Sequence, residues 1–117
     1  MKTAELKGAA LNWAVAECEF VGTPPIKEVS GVLYTVEGDY WNPSTVWAHG
    51  GPIIEREEIS ISREFAASKV EWAAWTPAPI RDDAEAFGYG PTPLIAAMRC
   101  YVASKLGDEV DIPEELQ

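Results

Sequence analysis

The sequence predicts an α+β domain in which a small antiparallel sheet of at least three strands packs against an N-terminal and a C-terminal helix. Three observations predict it. Both ends of the chain carry apolar stretches with helical spacing, the middle carries short alternating runs rich in β-formers, and proline- and glycine-rich breaks separate them. The 117 residues suit one domain, 1–117, with a single core.

The first helix is expected from about Ala4 or Lys7 to Glu19, with Thr3 as a candidate cap. Leu11, Ala14, Val15 and Cys18 share one face, and Ala9, Trp13, Ala16 and Phe20 share nearly the opposite one. A helix apolar on two sides is covered on two sides. "GTPP", Gly22 to Pro25, ends it. "VLYTV", Val32 to Val36, reads as a strand. "EISISREF", Glu58 to Phe65, places Ile59, Ile61 and Phe65 opposite Ser60, Ser62 and Glu64. "KVEWAAW", Lys69 to Trp75, groups Val70, Trp72 and Ala74, with Trp75 across from them. The short "AAS" link makes these two an antiparallel hairpin, with Val32–Val36 as the third strand. Thr76 to Pro91, rich in proline, glycine and acids, is expected to be a long surface loop.

The last helix has the sharpest boundaries: Thr92 caps it, Pro93 takes the first position and Gly107 closes it. Leu94, Ile95, Met98, Val102 and Leu106 form its core stripe. Ala96, Cys100, Ala103 and Ser104 make an uncharged face of small residues, which suits close approach by the first helix. Arg99, at the edge of the stripe, must be paired, with Glu55 or Glu57 as the expected partner.

Between the strands stands "NPSTVWAHGGPIIERE", Asn42 to Glu57. Asn42 or Ser44 is placed to cap a short helix, Gly50-Gly51 to break it, and Pro52 to begin another turn. A break there would leave N–H groups uncovered where an anion can be held.

Composition excludes several functions. The net charge of −10 argues against direct nucleic-acid binding, which needs clustered lysine and arginine. The acids are scattered over Glu55, Glu57 and Glu58, over Asp82, Asp83 and Glu85, and over Asp108, Glu109, Asp111, Glu114 and Glu115. Such scatter keeps a protein soluble, and a negative face also suits a basic partner. No apolar run reaches the length of a membrane span, and the N-terminus lacks a signal peptide's uniform apolar stretch, so a cytoplasmic protein is expected. Cys18 and Cys100 read as small buried thiols in a reducing compartment. With one histidine beside them they give no structural zinc signature, and no metal or cofactor is expected.

Three blocks resemble the phage NinX-like family: "STVWAHGGPIIERE" (Ser44 to Glu57), "GPTPLIAAMRCYVASKLGDEVDIP" (Gly90 to Pro113) and "AELKGAALNWAVA" (Ala4 to Ala16). The stretches Val21–Tyr40 and Arg63–Tyr89 carry no such resemblance. The resemblance implies a phage or prophage origin, expression inside the bacterial host cell and an accessory role. It supplies no activity, so no catalytic residue is carried over. In the family's pattern glutamine often stands at the place of His49, which suits hydrogen bonding and not general-base chemistry.

Candidate binding residues are Trp41, Ser44, Thr45, Trp47, His49, Gly50, Gly51, Tyr89 and Arg99. Trp41, Trp47 and Tyr89 are aromatics near glycine and proline turns, which suits a flat ligand or a peptide. The glycines offer backbone donors and Arg99 a bidentate clamp. An enzyme would pair His49 with Ser44, Thr45 or Cys100, oriented by Asp39 or Glu55, but no elbow, phosphate loop or metal motif surrounds them. The first expectation is an accessory protein that binds a host or phage protein. The alternative is a small-ligand or enzymatic site at Trp47, His49, Gly50, Gly51 and Arg99. Two helices apolar on both faces also suggest a homodimer.

Overall fold

In the computed structural model, residues 1–20, 26–30, 32–35, 38–66, 69–77 and 86–117 are described. The order is a 3-10 turn (Thr3–Glu5), α1 (Gly8–Glu19), β1 (Ile26–Val29), β2 (Val32–Thr35), α2 (Trp47–Arg56), β3 (Ser60–Ala66), β4 (Lys69–Trp75), β5 (Phe87–Gly90), α3 (Pro93–Leu106) and a 3-10 turn (Glu114–Leu116). The expected stop at Gly22–Pro25, the "AAS" link beyond Ala66, and Asp82, Asp83 and Glu85 lie outside the described residues, as do the side chains of Phe65 and Val70. Among the described residues no helix is long and apolar enough to cross a membrane.

The α+β architecture is as expected, with one correction to its sheet. β3 and β4 form the anticipated antiparallel hairpin, with Ser60 opposite Trp75 and Ile61 opposite Ala74. The third strand is β5, paired antiparallel to β4, and not Val32–Val36. β2 pairs instead with β1 in a separate two-stranded sheet. The physical reason is that β2 has no edge left to offer. β1 occupies one side, and on the other the chain turns back, so that Trp41 N–H donates to Leu33 C=O at 2.9 Å and Tyr34 bridges Tyr40. β5 lies at the end of the stretch expected to be loop. Its "FGYG" pattern puts both glycines toward α3 and both aromatics on the other face.

α3 is the central helix. Thr92 Oγ1 accepts from Ile95 N–H at 3.1 Å, Pro93 opens the helix, and Gly107 ends it at φ +86°, a conformation that favours glycine. Leu94, Met98 and Val102 are buried as expected, whereas Leu106, in the final turn, is 39% exposed. The small face meets β5, not the first helix. A Cβ on Gly88 would strike the Ala96 carbonyl and the Cys100 backbone, and Cys100 Sγ lies 3.3 Å from Ala86 C=O. α1 packs elsewhere on α3 and against β2. Its buried residues include Ala10, Leu11, Ala14, Val15 and Ala16, so both helices are largely covered within one chain. The anticipated Thr3 cap is absent; Thr3 is buried, and its hydroxyl donates to Gly107 C=O at 2.6 Å. It thereby ties the 3-10 turn to the end of α3.

Candidate functional site

The Asn42–Glu57 corner is one continuous structure. α2 runs unbroken through Gly50, Gly51 and Pro52, correcting the expectation of a break. Gly50 N–H donates to Val46 C=O at 3.0 Å, so it is no open anion donor. Gly50 is required for contact: a Cβ there would stand 2.5 Å from Pro43 O and 2.7 Å from Leu94 Cδ2. Gly51 has open space around it, and its lack of a Cβ eases the helical conformation just before Pro52. The N-cap is Val46, not Asn42 or Ser44, because both polar side chains are engaged elsewhere.

They are engaged with Asn12, a buried polar residue in α1. Asn12 Nδ2 donates to Asn42 Oδ1 at 2.9 Å, Asn12 Oδ1 accepts from Ser44 N–H at 3.1 Å, and Asn12 C=O accepts from Trp41 Nε1 at 3.0 Å. His49 Nδ1 accepts from Asn42 N–H at 3.0 Å, which requires the tautomer with Nδ1 unprotonated. The His49 ring lies nearly parallel to Trp41 at 6.3 Å. Trp41, Ser44 and His49 therefore knit α1, the 43–45 turn and α2 together. Ser44 is only 1% exposed and His49's Nδ1 is already occupied, an arrangement that holds the fold. Thr45 and Trp47 face outward, Trp47 at 54% exposure, beside a cavity of about 210 Å³ bordered by Leu94 and Ile95.

Tyr89 and Arg99 belong to a different place. Arg99 Nε donates to Leu6 C=O at 2.8 Å and Nη1 to Tyr89 C=O at 2.7 Å, so backbone carbonyls, not Glu55 or Glu57, are its partners. Burial draws the guanidinium's pKa below its usual value, with Glu71 opposing the shift. Glu57 pairs instead with Arg56 at 2.9 Å and Lys105 at 3.2 Å. Arg99 forms the floor of a groove of about 330 Å³. One wall is β5, from which Phe87 and Tyr89 project 50% and 52% exposed. The other is a short ladder in which Met1 and Val110 exchange main-chain bonds at 2.9 Å and Thr3 N–H donates to Asp108 C=O at 2.8 Å. Glu71, Asp108 and Glu109 bring negative charge to this groove, and Lys2 and Arg99 bring positive charge.

Burial pushes both thiols up to about 12; at Cys18 neighbouring Glu17 adds to the effect, and at Cys100 a backbone hydrogen bond from Thr76 partly opposes it. Both cysteines are free, and at neutral pH they are protonated, unreactive groups.

The family model described as Bacteriophage P22, NinX matches residues 2–105, nearly the whole structure just described. The chain belongs to the phage P22 NinX family. No curated protein sequence matches it. In this NinX-family chain two of the residues singled out from the sequence, Tyr89 and Arg99, border one groove that the sequence does not announce. Phe87, Glu71, Lys2, Asp108 and Glu109 come from four separate segments. Only the alternation of "FGYG" was a usable signal, since period-two aromatics mark one face of a strand.

Proposed function

We propose that this chain is a phage or prophage accessory protein that acts by binding protein, with a host or phage protein docking on β5 and the groove beside it. One observation carries the reading: two aromatic side chains stand half exposed on a sheet edge beside a cavity of about 330 Å³. Aromatics are enriched at the centres of protein interfaces, where an exposed pair gains most by being covered. The compartment proposed is the cytoplasm of the bacterial host.

The test is capture from infected or lysogenic cells, using the intact chain and a Phe87→Ser/Tyr89→Ser variant. A partner held by the first and lost by the second is expected. Identical captures by both would refute the reading. A second reading, a small flat ligand beside Trp47, is favoured by that residue's exposure over the 210 Å³ cavity. It predicts a thermal shift with a nucleotide or metabolite that Trp47→Ser abolishes.

A further inference from the structure

We propose that the β5 edge takes an extended segment of a basic polypeptide as an added strand, its lysine or arginine side chains facing Glu71, Asp108 and Glu109. The inference rests on β5 as the docking surface and names the chemistry of what docks.

The main-chain pattern comes first. β5 is the last strand of the β3-β4-β5 sheet, so one of its edges has no strand partner among the described residues. Ala86 C=O accepts from Thr76 N–H at 3.1 Å, which places Ala86, Gly88 and Gly90 on the β4 side. Strand alternation then turns the N–H and C=O groups of Phe87 and Tyr89 toward the groove. Arg99 Nη1 at Tyr89 C=O confirms that direction and satisfies that one acceptor. The N–H groups of Phe87 and Tyr89 and the C=O of Phe87 are left facing the groove, the set an incoming strand requires.

The surroundings select the kind of strand. One turn beyond Arg99, Ala103 presents only a methyl group, so a backbone can lie close to α3 there. Arg99 directs Nε and Nη1 to two backbone carbonyls, which fixes its guanidinium against the groove wall. Glu71, Asp108 and Glu109 outnumber Lys2 and Arg99, and the chain carries −10 overall, so a cationic segment is favoured at the rim and steered toward it. The same charges disfavour a second copy, because pairing two β5 edges would bring two acidic rims together.

The experiment follows backbone amides of the full isotope-labelled chain by NMR as a synthetic peptide of alternating lysine and valine is added. Two further peptides serve as probes: one with glutamate in place of lysine and one N-methylated along its pairing edge. The expected result is movement and exchange protection of the Phe87 and Tyr89 amides by the lysine peptide, weakened by salt and absent with the other two. Replacing Glu71, Asp108 and Glu109 by their amides should weaken the Kd about tenfold. Equal binding of the glutamate peptide, unmoved Phe87 and Tyr89 amides, or pairing between two copies without peptide would each overturn the inference. If a captured partner depends on Phe87 and Tyr89 while the lysine peptide leaves both amides unmoved, strand addition fails and the docking reading stands. Capture indifferent to that pair removes the docking reading itself.

Discussion

Replacing Gly88 by alanine tests the contact on which both the sheet and the groove depend. The new methyl would collide with the Ala96 carbonyl and the Cys100 amide and would lie 2.9 Å from Cys100 Cα. Carbon atoms pack at about 3.5–4.0 Å, so β5 or α3 would have to shift by up to about 1 Å. α3 cannot shift freely, because Leu94, Ala97, Met98 and Val102 are all buried. Overpacking against backbone belongs at the upper end of the usual range, about 3 kcal/mol. Loss of glycine's conformational freedom in the unfolded chain offsets about 0.5–1 kcal/mol of that. A net loss of about 2 kcal/mol remains, which lowers the melting temperature by roughly 8 °C in a chain of this length. Gly51→Ala is the matched control. Nothing lies within 4 Å, and a helix-propensity gain of about 1 kcal/mol is opposed by the clash before Pro52, so the net change stays within about 1 kcal/mol. Calorimetry on the two variants decides the matter. If Gly88→Ala melts with the unmodified chain, β5 does not lie against α3 and the groove is not built as described.

Other expectations follow from the corner and the charged residues. Asn12→Leu would take the side-chain partner from Ser44 N–H and from Asn42 Oδ1, costing about 2–3 kcal/mol in urea titration. His49→Gln, with an oxygen able to accept from Asn42 N–H, should melt close to the unmodified chain, whereas His49→Phe should lose about 1 kcal/mol or more. Native Cys18 and Cys100 should resist alkylation at pH 7.5 and react once urea unfolds the chain, a difference readable by mass spectrometry. Burial alone would raise the pKa of Glu57, but hydrogen bonds from Arg56 and Lys105 prevail and hold it below the ordinary 4.5. A depressed carboxyl stabilises the fold above its unfolded value and loses that contribution as pH falls through the folded one. Glu57→Gln should therefore flatten the stability profile below about pH 4.5, and leave its shape near neutrality unchanged.

Elements with strong local signals were legible in the sequence. α3 is bounded by Thr92, Pro93 and Gly107, each acting through its own backbone chemistry, and those boundaries hold in the structure. The β3–β4 hairpin was legible from alternation and a short link. Pairing between distant segments was not. Nothing local in "VLYTV" says that the chain returns at Tyr40–Trp41 and fills β2's free edge, so its strand character alone does not give its sheet. Gly50-Gly51-Pro52 carries every mark of a helix break, yet the helix continues because packing on Pro43 and Leu94 demands a glycine where a turn does not.

Local chemistry thus determined the bounds of α3 and the pairing of the β3–β4 hairpin. Tertiary structure decided the third strand, the partners of Arg99, and the split of the candidate residues between a knitted corner and an open groove. The cause is range: caps, alternation and turns act over a few residues, whereas an edge, a carbonyl pair or a cavity exists only once segments far apart in sequence have been brought together.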